Sequence, residues 1–231
     1  GTGHMKKVLE GHCPKVEVTA FADIDPEKLE RANKLNPDAK AFSSADELIE
    51  SGLVDAVLIA VPHYEHPTIA IKCFEHGLHV ITEKPAGVCT RQVREMNDAA
   101  KKSGVVFGIM FNQRSNPMYA KAREIVSSGQ LGELKRMVWI ITNWYRSQAY
   151  YNSGFWRATW SGEGGGVLLN QAPHNLDLWQ WIFGMPKRVR AFCDFGKYHA
   201  IAVEDDVTIF GQYENGATAT VISTTGEAPG T

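Results

Sequence analysis

The chain has 231 residues, of which 44% are apolar and 22% charged, and its formal net charge is −2 at neutral pH. That length suits one large or two modest domains, and the composition is that of a globular rather than a disordered protein. The small negative charge gives no electrostatic reason to expect nucleic acid or an acidic membrane surface as a partner. The longest apolar runs, 56–61 and 137–141, fall well short of the roughly 20 residues that cross a bilayer, and we see no signal peptide.

Residues 16–111 alternate strand-like and helix-like segments. Asp25 followed by Pro26 is typical of a helix start, and Gly77 fits a helix C-cap. Helices are predicted over 25–35, 44–51, 67–76 and 90–103, and strands over 16–22, 39–42, 56–61, 78–82 and 105–111. This order predicts a parallel α/β sheet with right-handed crossovers over residues 16–111.

Strand-like segments predominate beyond about Asn112. Helical spacing is found over 117–128 and near 171–183, whereas strand-like runs occupy 133–145, 188–195, 206–213 and 217–225. The sequence therefore predicts a second, α+β domain over 112–231 with a mostly antiparallel sheet.

Polar residues follow the predicted strands at the edge where open parallel sheets bind ligands. They are Asp23, Pro62-His63, Glu83-Lys84-Pro85 and Asn112-Gln113-Arg114. A polar residue after one strand would mean little, because loops are generally polar. Four such groups at one edge, one of them with a lysine between Glu83 and Pro85, favour a ligand site.

Gly1 and Gly3 precede Asp23 by about 20 residues, the spacing between pyrophosphate-binding glycines and a ribose-binding carboxylate in dinucleotide folds. Lys6 replaces the third small residue of that fingerprint. The downstream βα pattern favours a real fingerprint, with the pyrophosphate at a helix N-terminus. The alternatives are a cloning remnant over residues 1–5 and, for Asp23, a solvated turn beside Asp25.

A glycine-rich segment, 164–166, leads to His174 at the predicted start of a helix. Asn170 lies four residues before His174, a spacing that puts both residues on one face of a helix. The position of His174 favours a function, although a histidine beside an apolar helix stripe is usually a satisfied core residue. The glycines are not a phosphate-binding P-loop, because no Lys-Ser/Thr pair follows them, and a flexible turn is the alternative.

Aromatic and cationic residues precede these glycines, notably Tyr145, Trp156 and Arg157. Such residues line sugar and nicotinamide pockets and also stack on nucleic-acid bases, but this chain lacks the positive charge that nucleic-acid binding requires. A core or interface role for the tryptophans is an equal alternative.

The cysteines Cys13, Cys73, Cys89 and Cys193 form no C-x-x-C pair, so we expect neither a zinc site nor another bound metal. Their scatter indicates reduced thiols in a cytoplasmic protein, buried as small apolar groups.

Five segments together resemble the Gfo/Idh/MocA family of glucose–fructose oxidoreductases and inositol dehydrogenases. They are residues 1–5, 22–25, 61–67, 83–86 and 165–177. The resemblance implies a doubly wound, NAD(P)-binding Rossmann domain over residues 1–111 whose first strand is missing. It implies that residues 112–231 form a substrate-binding and oligomerisation domain with a large, mostly antiparallel open sheet, whose C-terminal part is missing. It also implies hydride transfer between NAD or NADP and a secondary alcohol or ketone of a sugar, inositol or similar polyol.

The resemblance assigns roles to individual residues. Lys84, His174 and Asn170 are the implied catalytic residues, with His174 as the general acid/base, although many members carry Asp in place of Asn170. The implied cofactor-binding residues are Gly1, Gly3, His4, Met5, Asp23, Pro62, His63, His66, Glu83, Lys84 and Asn112. The implied substrate-binding residues are Tyr145, Trp156, Arg157, Asn170 and His174.

We therefore expect a cytoplasmic NAD(P)-dependent oxidoreductase acting on a small polyol or sugar, with neither nucleic acid nor a membrane as partner. Asp23 favours NAD over NADP, because no Arg or Lys stands beside it to receive a 2′-phosphate. The family implies homodimers or homotetramers formed through the sheet of the second domain. Two alternatives remain: a glycosidase that uses bound NAD⁺ transiently, and a non-catalytic nucleotide-binding regulatory protein.

Overall fold

The computed structural model describes residues 1–229, so Gly230 and Thr231, the last residues of the predicted second domain, lie outside the described part of the chain. Contacts between residues divide the chain into two compact units, Gly1–Met110 and Phe111–Thr231. Across residues 1–229, no helix has both the length and the apolar character that a membrane span requires.

The N-terminal unit alternates helices with short strands. Its helices are α1 (Thr2–Leu9), α2 (Pro26–Leu35), α3 (Ala45–Glu50), α4 (Glu65–Glu75) and α5 (Thr90–Ser103). Its strands are β1 (Ala20–Ala22), β2 (Lys40–Phe42), β3 (Ala56–Ile59), β4 (His79–Thr82) and β5 (Phe107–Ile109). Strand β1 pairs with β2, and β4 lies between β3 and β5. These pairings are parallel, which confirms the predicted parallel α/β class.

Local sequence sets the ends of these helices. The Asp25 side chain accepts a hydrogen bond from the backbone of the first turn of α2, as an N-cap does. Gly104 ends α5 at φ +71°, a left-handed conformation that glycine adopts without strain. Helix α4 begins at Glu65 rather than at Pro67, because the first N–H groups of a helix have no helical partner and proline is tolerated among them.

The core of this unit lies between α4, α5 and strands β3 and β4. Its buried members include Ile59, Ala70, Cys73, Phe74, Val80 and Met96. The predicted strands 16–22 and 105–111 narrow to Ala20–Ala22 and Phe107–Ile109. Because the packed elements fix the carboxyl ends of β3 and β4, the residues that follow these strands are held in place.

The C-terminal unit, within its described residues, forms one four-stranded sheet. Its strands are β6 (Arg136–Ile141), β7 (Arg188–Phe195), β8 (Glu204–Gln212) and β9 (Thr218–Thr224), and its α-helices are α6 (Pro117–Ser127), α7 (Gln148–Asn152) and α8 (Pro173–Phe183). The strand order is β6-β9-β8-β7. Strand β8 is antiparallel to both neighbours and only the β6–β9 pairing is parallel, which confirms the predicted mostly antiparallel sheet.

The two faces of this sheet differ in their burial. On one face Met137, Val207 and Val221 are buried and pack with Trp179 of α8. The Trp179 indole N–H donates a 2.7 Å hydrogen bond to the Tyr213 hydroxyl, so the polar edge of the ring is satisfied inside the core. The opposite face carries exposed apolar side chains: Val138, Ile140, Phe192 and Phe210.

Helix α8 begins at Pro173 and not near residue 171, and Asn170 lies in the turn that precedes it. The expectation that Asn170 and His174 share a helix face is therefore wrong. Pro173 cannot donate a backbone hydrogen bond, and it occupies the first helical position, where none is needed. The sequence also gave no signal for α7, which at five residues is too short to show a period.

Candidate active site

Helix α1 presents an open N-terminus at the glycines of the predicted fingerprint. Gly1 is its N-cap, and no side chain of residues 1–229 caps this end. Gly1 and Gly3 are exposed, and a Cβ at either would meet no described atom within 4 Å. Packing therefore does not require glycine here. Backbone N–H groups and the positive end of the helix dipole fit a pyrophosphate, which glycines allow to approach closely.

The same helix is tied to the turn that carries Lys84. Met5 is buried and anchors α1, while the Nε2 atom of His4 lies 2.6 Å from Oε1 of Glu83. The second carboxylate oxygen of Glu83 accepts the backbone N–H of Lys84 at 3.1 Å. Glu83 thus links the glycine fingerprint to the Glu83-Lys84-Pro85 turn, two motifs that are 79 residues apart.

His66 contacts the backbone of the same turn. It is fully buried, with Nδ1 2.8 Å from the Pro85 carbonyl and Nε2 2.9 Å from the Val61 carbonyl. His63 is also buried, and its ring centroid lies 5.9 Å from that of His66. Because both nitrogens of His66 face protein carbonyls, its side chain connects the end of β3 to the lysine turn. Pro62, which directly precedes His63 in the sequence, is exposed.

Asp23 directly follows β1, at the position expected for a ribose-binding carboxylate. Its Oδ1 atom accepts the backbone N–H of Asp25 at 3.0 Å, and its side chain is 37% exposed. Lys28 places its Nζ atom 4.0 Å from this oxygen and 3.4 Å from the Asp25 carboxylate. The carboxylate is therefore accessible to a ligand, but a lysine partly offsets its charge.

In the C-terminal unit, the glycine-rich segment packs against Glu204. This buried carboxylate accepts the backbone N–H groups of Gly166 at 2.9 Å and Leu168 at 3.1 Å. A Cβ at Gly166 would lie 1.9 Å from the Glu204 carbonyl oxygen, so only glycine fits. The three glycines are therefore a closely packed turn rather than a flexible one.

This turn carries Asn170 and leads to His174. The Asn170 side-chain amide donates a short hydrogen bond to Glu163, which is 1% exposed. His174 is half-buried in the first turn of α8, with its ring edge-on to Phe111 at a centroid distance of 6.2 Å. The sequence analysis missed Glu163 and Glu204, and the only available signal was an acidic residue directly before the glycines.

A short 3₁₀ helix, Asn112–Ser115, places Asn112 in the C-terminal unit, where its side chain is exposed. Arg114 of this helix makes two hydrogen bonds to the buried Asp177 carboxylate of α8, at 2.8 and 2.5 Å. The bonds to Asp177 raise the pKa of the Arg114 guanidinium. The ion pair, which was not predicted, therefore fixes the segment after β5 against the helix that carries His174.

Arg157, one of the predicted substrate-binding residues, lines a cavity of about 750 Å³ in the C-terminal unit, whereas Trp156 is not among its lining residues. Arg157 donates a 2.8 Å hydrogen bond to the Tyr150 hydroxyl and lies 4.6 Å from the centroids of the Tyr150 and Trp156 rings. The lining includes Tyr151, Phe155, Arg157, Thr159, His199 and Ile201. Tyr145 is exposed and does not line this cavity. A cation among aromatic rings suits a polar ring with an anionic substituent.

The cysteines differ from one another in burial. Cys73 is fully buried, and burial raises the pKa of its thiol to about 12, as expected for a small apolar core group. Cys13 and Cys89 are exposed, so the expectation that they are buried is wrong. Both lie at loop or cap positions that the apolar core does not cover. Residues 1–229 contain no group of three His, Cys, Asp or Glu side chains arranged to hold a metal ion.

Profiles of known families match both units. Residues 1–111 match an oxidoreductase family described as an NAD-binding Rossmann fold, and residues 119–231 match the GFO/IDH/MocA C-terminal domain. The chain belongs to the GFO/IDH/MocA family. The predicted family and fold class are confirmed, and the N-terminal unit is the family's NAD-binding Rossmann domain.

Relatives in this family include the rhizopine catabolism protein MocA of Rhizobium meliloti, 30% identical over 184 residues, which cover 80% of this chain and 54% of MocA. The scyllo-inositol 2-dehydrogenase (NADP⁺) IolW of Bacillus subtilis is 26% identical over 78% of this chain and 50% of IolW. The chain thus spans about half the length of these curated relatives.

Among solved structures, the WlbA dehydrogenase of Chromobacterium violaceum, in complex with NADH and UDP-GlcNAcA, superposes with a TM-score of 0.92. It is 29% identical, and the match covers 99% of this chain and 65% of WlbA.

Proposed function

We propose that the full-length protein is an NAD-dependent dehydrogenase that oxidises a secondary alcohol of a sugar or polyol. The observation that carries this proposal is the contact between His4 and Glu83. It joins the open glycine end of α1 to the turn of Lys84 at one edge of the NAD-binding domain. That edge is where a Rossmann sheet receives its cofactor.

NAD, when bound, would supply a nicotinamide as the acceptor of the hydride. The backbone at Gly1 and Gly3 binds the pyrophosphate, and Asp23 accepts a hydrogen bond from the adenosine ribose. Cationic Lys84 stabilises the developing alkoxide, and His174 takes the hydroxyl proton. Asn170, Trp156, Arg157 and Tyr145 bind and orient the substrate ring.

We further propose a preference for NAD over NADP. A 2′-phosphate beside Asp23 brings like charges together, whereas a ribose hydroxyl can donate to this carboxylate. Lys28, 4.0 Å from Asp23, weakens the repulsion, so NADP is bound less tightly rather than rejected. Titrating both cofactors against tryptophan fluorescence tests this. The double variant Asp23→Ser with Ile24→Arg should reverse the preference. Asp38→Ser, in an exposed loop, is the control and should leave it unchanged. Equal affinity of the wild type for NAD and NADP would contradict the proposed preference.

The proposed dehydrogenase activity is to be tested on a panel of substrates, of which nucleotide-linked sugars come first. The WlbA structure contains UDP-GlcNAcA, a sugar that carries a carboxylate. Arg157, between Tyr150 and Trp156, offers a guanidinium for such an anion. Sugars and inositols complete the panel. Arg157→Lys preserves the charge but loses the planar, two-pronged geometry. It should therefore raise KM for an acidic sugar more than for a neutral one.

The exposed face of the C-terminal sheet supports a homo-oligomer. Across the paired strands, Val138 and Phe210 lie in one row and Ile140, Ile222 and Phe192 in the next. Thr220 separates Val138 from Phe210, and Thr208 separates Ile222 from Phe192. A sheet face on which exposed apolar side chains alternate with small polar ones suits an interface. Phe192→Glu should lower the mass in analytical ultracentrifugation, whereas Phe155→Glu, at an exposed side chain outside this face, should not.

A further inference from the structure

We propose that Glu163 is a positioning residue that holds Asn170 and the backbone after Arg157 in their working geometry, and that its charge requires an amide rather than a carboxylate at position 170. The inference rests on the proposed function, because Asn170 and Arg157 are substrate-binding residues only if that function is correct. Glu163 itself is 1% exposed and does not need to touch the substrate.

The two oxygens of the Glu163 carboxylate serve two different segments. Oε2 accepts the backbone N–H of Ala158 at 2.7 Å, and Oε1 accepts the side-chain amide of Asn170. One buried carboxylate therefore joins the residue after Arg157 to the turn before His174. Buried carboxylates are stable when hydrogen bonds satisfy their oxygens, and these two donors are what a charged carboxylate selects.

The backbone at Ala158 needs such support. Its φ of +51° is a left-handed conformation that L-residues other than glycine rarely adopt, and it lies directly after Arg157. Strained residues of this kind persist when the surrounding structure fixes them, and they cluster at functional sites. The hydrogen bond to Glu163 fixes the turn that sets the direction of the Arg157 side chain.

The same contact explains why Asn stands at position 170. Donation from Nδ2 to Glu163 fixes which way the amide points and therefore where its Oδ1 oxygen lies. An aspartate at this position would place two carboxylates in contact, and both could not remain charged without strong repulsion. Glu163 therefore places a buried carboxylate one hydrogen bond away from the Asn170 side chain.

Glu204 provides a comparison within the same turn. It is also buried, at 6% exposed, but its oxygens bind the backbone N–H groups of Gly166 and Leu168. It is linked to residue 170 through the backbone, because the Asn170 N–H donates to the Gly166 carbonyl at 3.0 Å. Loss of its charge should therefore loosen the glycine turn without turning the Asn170 side-chain amide. A comparison of variants at Glu163 and Glu204 therefore distinguishes positioning of the Asn170 side chain from general support of the turn.

The test is an exchange of charge between the two positions in the full-length protein. Glu163→Gln leaves one oxygen for two donors, so the Asn170 amide must rotate and turn its Oδ1 toward the new Gln amide to keep a hydrogen bond. Asn170→Asp leaves two acceptors in contact. Each single variant should therefore lower kcat about 10-fold or more. The double variant restores a carboxylate–amide hydrogen bond with its partners reversed, so its kcat should return to within about 5-fold of wild type. Glu214→Gln, at an exposed carboxylate, is the control with unchanged kcat.

Additional measurements separate positioning from stability. The unfolding free energy of Asn170→Asp should approach that of wild type toward acid pH, because protonation of one carboxyl removes the repulsion. Glu204→Gln combined with Asn170→Asp should show no rescue, because Glu204 accepts backbone N–H groups and not the residue-170 side chain. If Glu163→Gln does not fold, recovery of folding in the double variant supports the proposal, and failure to recover overturns it.

Additive losses in the charge exchange, or wild-type kcat in Glu163→Gln, would also overturn the proposal. If wild type shows no dehydrogenase activity with any substrate, the proposed function fails. The coupling in unfolding free energy between positions 163 and 170, measured without substrate, then still decides whether Glu163 dictates the residue at 170.

Discussion

The Nε2 atom of His4 lies 2.6 Å from Oε1 of Glu83, so the first turn of α1 and the lysine turn after β4 are hydrogen-bonded to each other. His4 is 35% exposed and Glu83 27%, which means that the pair is partly shielded from water. Movement of either motif moves the other. The contact therefore couples the predicted pyrophosphate end of the site to the predicted nicotinamide end.

This pair predicts coupled effects on cofactor binding. Glu83→Ala should weaken NAD binding about 3- to 10-fold, because α1 and the turn lose their common anchor. A double-mutant cycle with His4→Ala should give a coupling energy of about 0.5–1 kcal/mol, read by NAD titration. Glu10→Ala, which removes an exposed His12–Glu10 pair just past α1, is the matched control. Equal effects of Glu83→Ala and Glu10→Ala would refute the coupling.

The Arg114–Asp177 pair predicts an effect on stability. Asp177 is 7% exposed and binds Arg114 through both oxygens, whereas Arg114 is 42% exposed and can be rehydrated. Asp177→Ala should therefore lower the unfolding free energy by about 1–3 kcal/mol. Glu214→Ala, which breaks the exposed pair with Lys187, should change it by less than about 0.5 kcal/mol. Urea denaturation of both variants compares them, and equal losses would contradict the account.

Tyr151 predicts an alkaline limit to stability. Burial raises the pKa of Tyr151 to about 12, and its hydrogen bond to Thr225 works in the opposite direction. In the unfolded chain a tyrosine titrates near 10, so the unfolded state loses its proton first. The contribution of Tyr151 is therefore complete below about pH 10 and is lost as the pH rises toward about 12.

The variant Tyr151→Phe isolates this contribution. It should lower stability by about 0.5–1.5 kcal/mol at neutral pH, because the bond to Thr225 is lost, and it should flatten the alkaline decline. Tyr145→Phe, at an exposed ring, is the control and should keep the wild-type decline. Urea denaturation across the alkaline range reads both effects, and an unchanged decline in Tyr151→Phe would mean that other groups cause it.

Much of the fold could be predicted because its signals are local. The apolar run at 56–61 and the Asp25 cap are each visible within a few residues, and both lie in elements that the structure shows. The ends of elements were less predictable. The pattern predicts a start at Pro67, whereas α4 begins at Glu65, because the first turn of a helix tolerates proline at several positions.

The candidate site was predictable where a rule places residues together. Open parallel sheets bind ligands at the carboxyl ends of their strands, and this rule selects the segments of Asp23 and Lys84 from the sequence alone. The rule does not predict which buried residues hold these segments in place. Glu163, Glu204 and Asp177 act through buried hydrogen bonds to segments up to 63 residues away, and no local pattern indicates such partners.

The most direct test of the central claim is substrate-dependent reduction of NAD by the full-length protein, followed by the absorbance of the reduced nicotinamide across a panel of nucleotide-linked sugars, sugars and inositols. The account predicts turnover with at least one member. It predicts a loss of about 10²-fold or more in Lys84→Ala and His174→Ala, with Lys72→Ala and His12→Ala as matched controls that keep wild-type rates. Tight cofactor binding without turnover on any member would contradict the account and identify a nucleotide-binding protein that has no dehydrogenase activity.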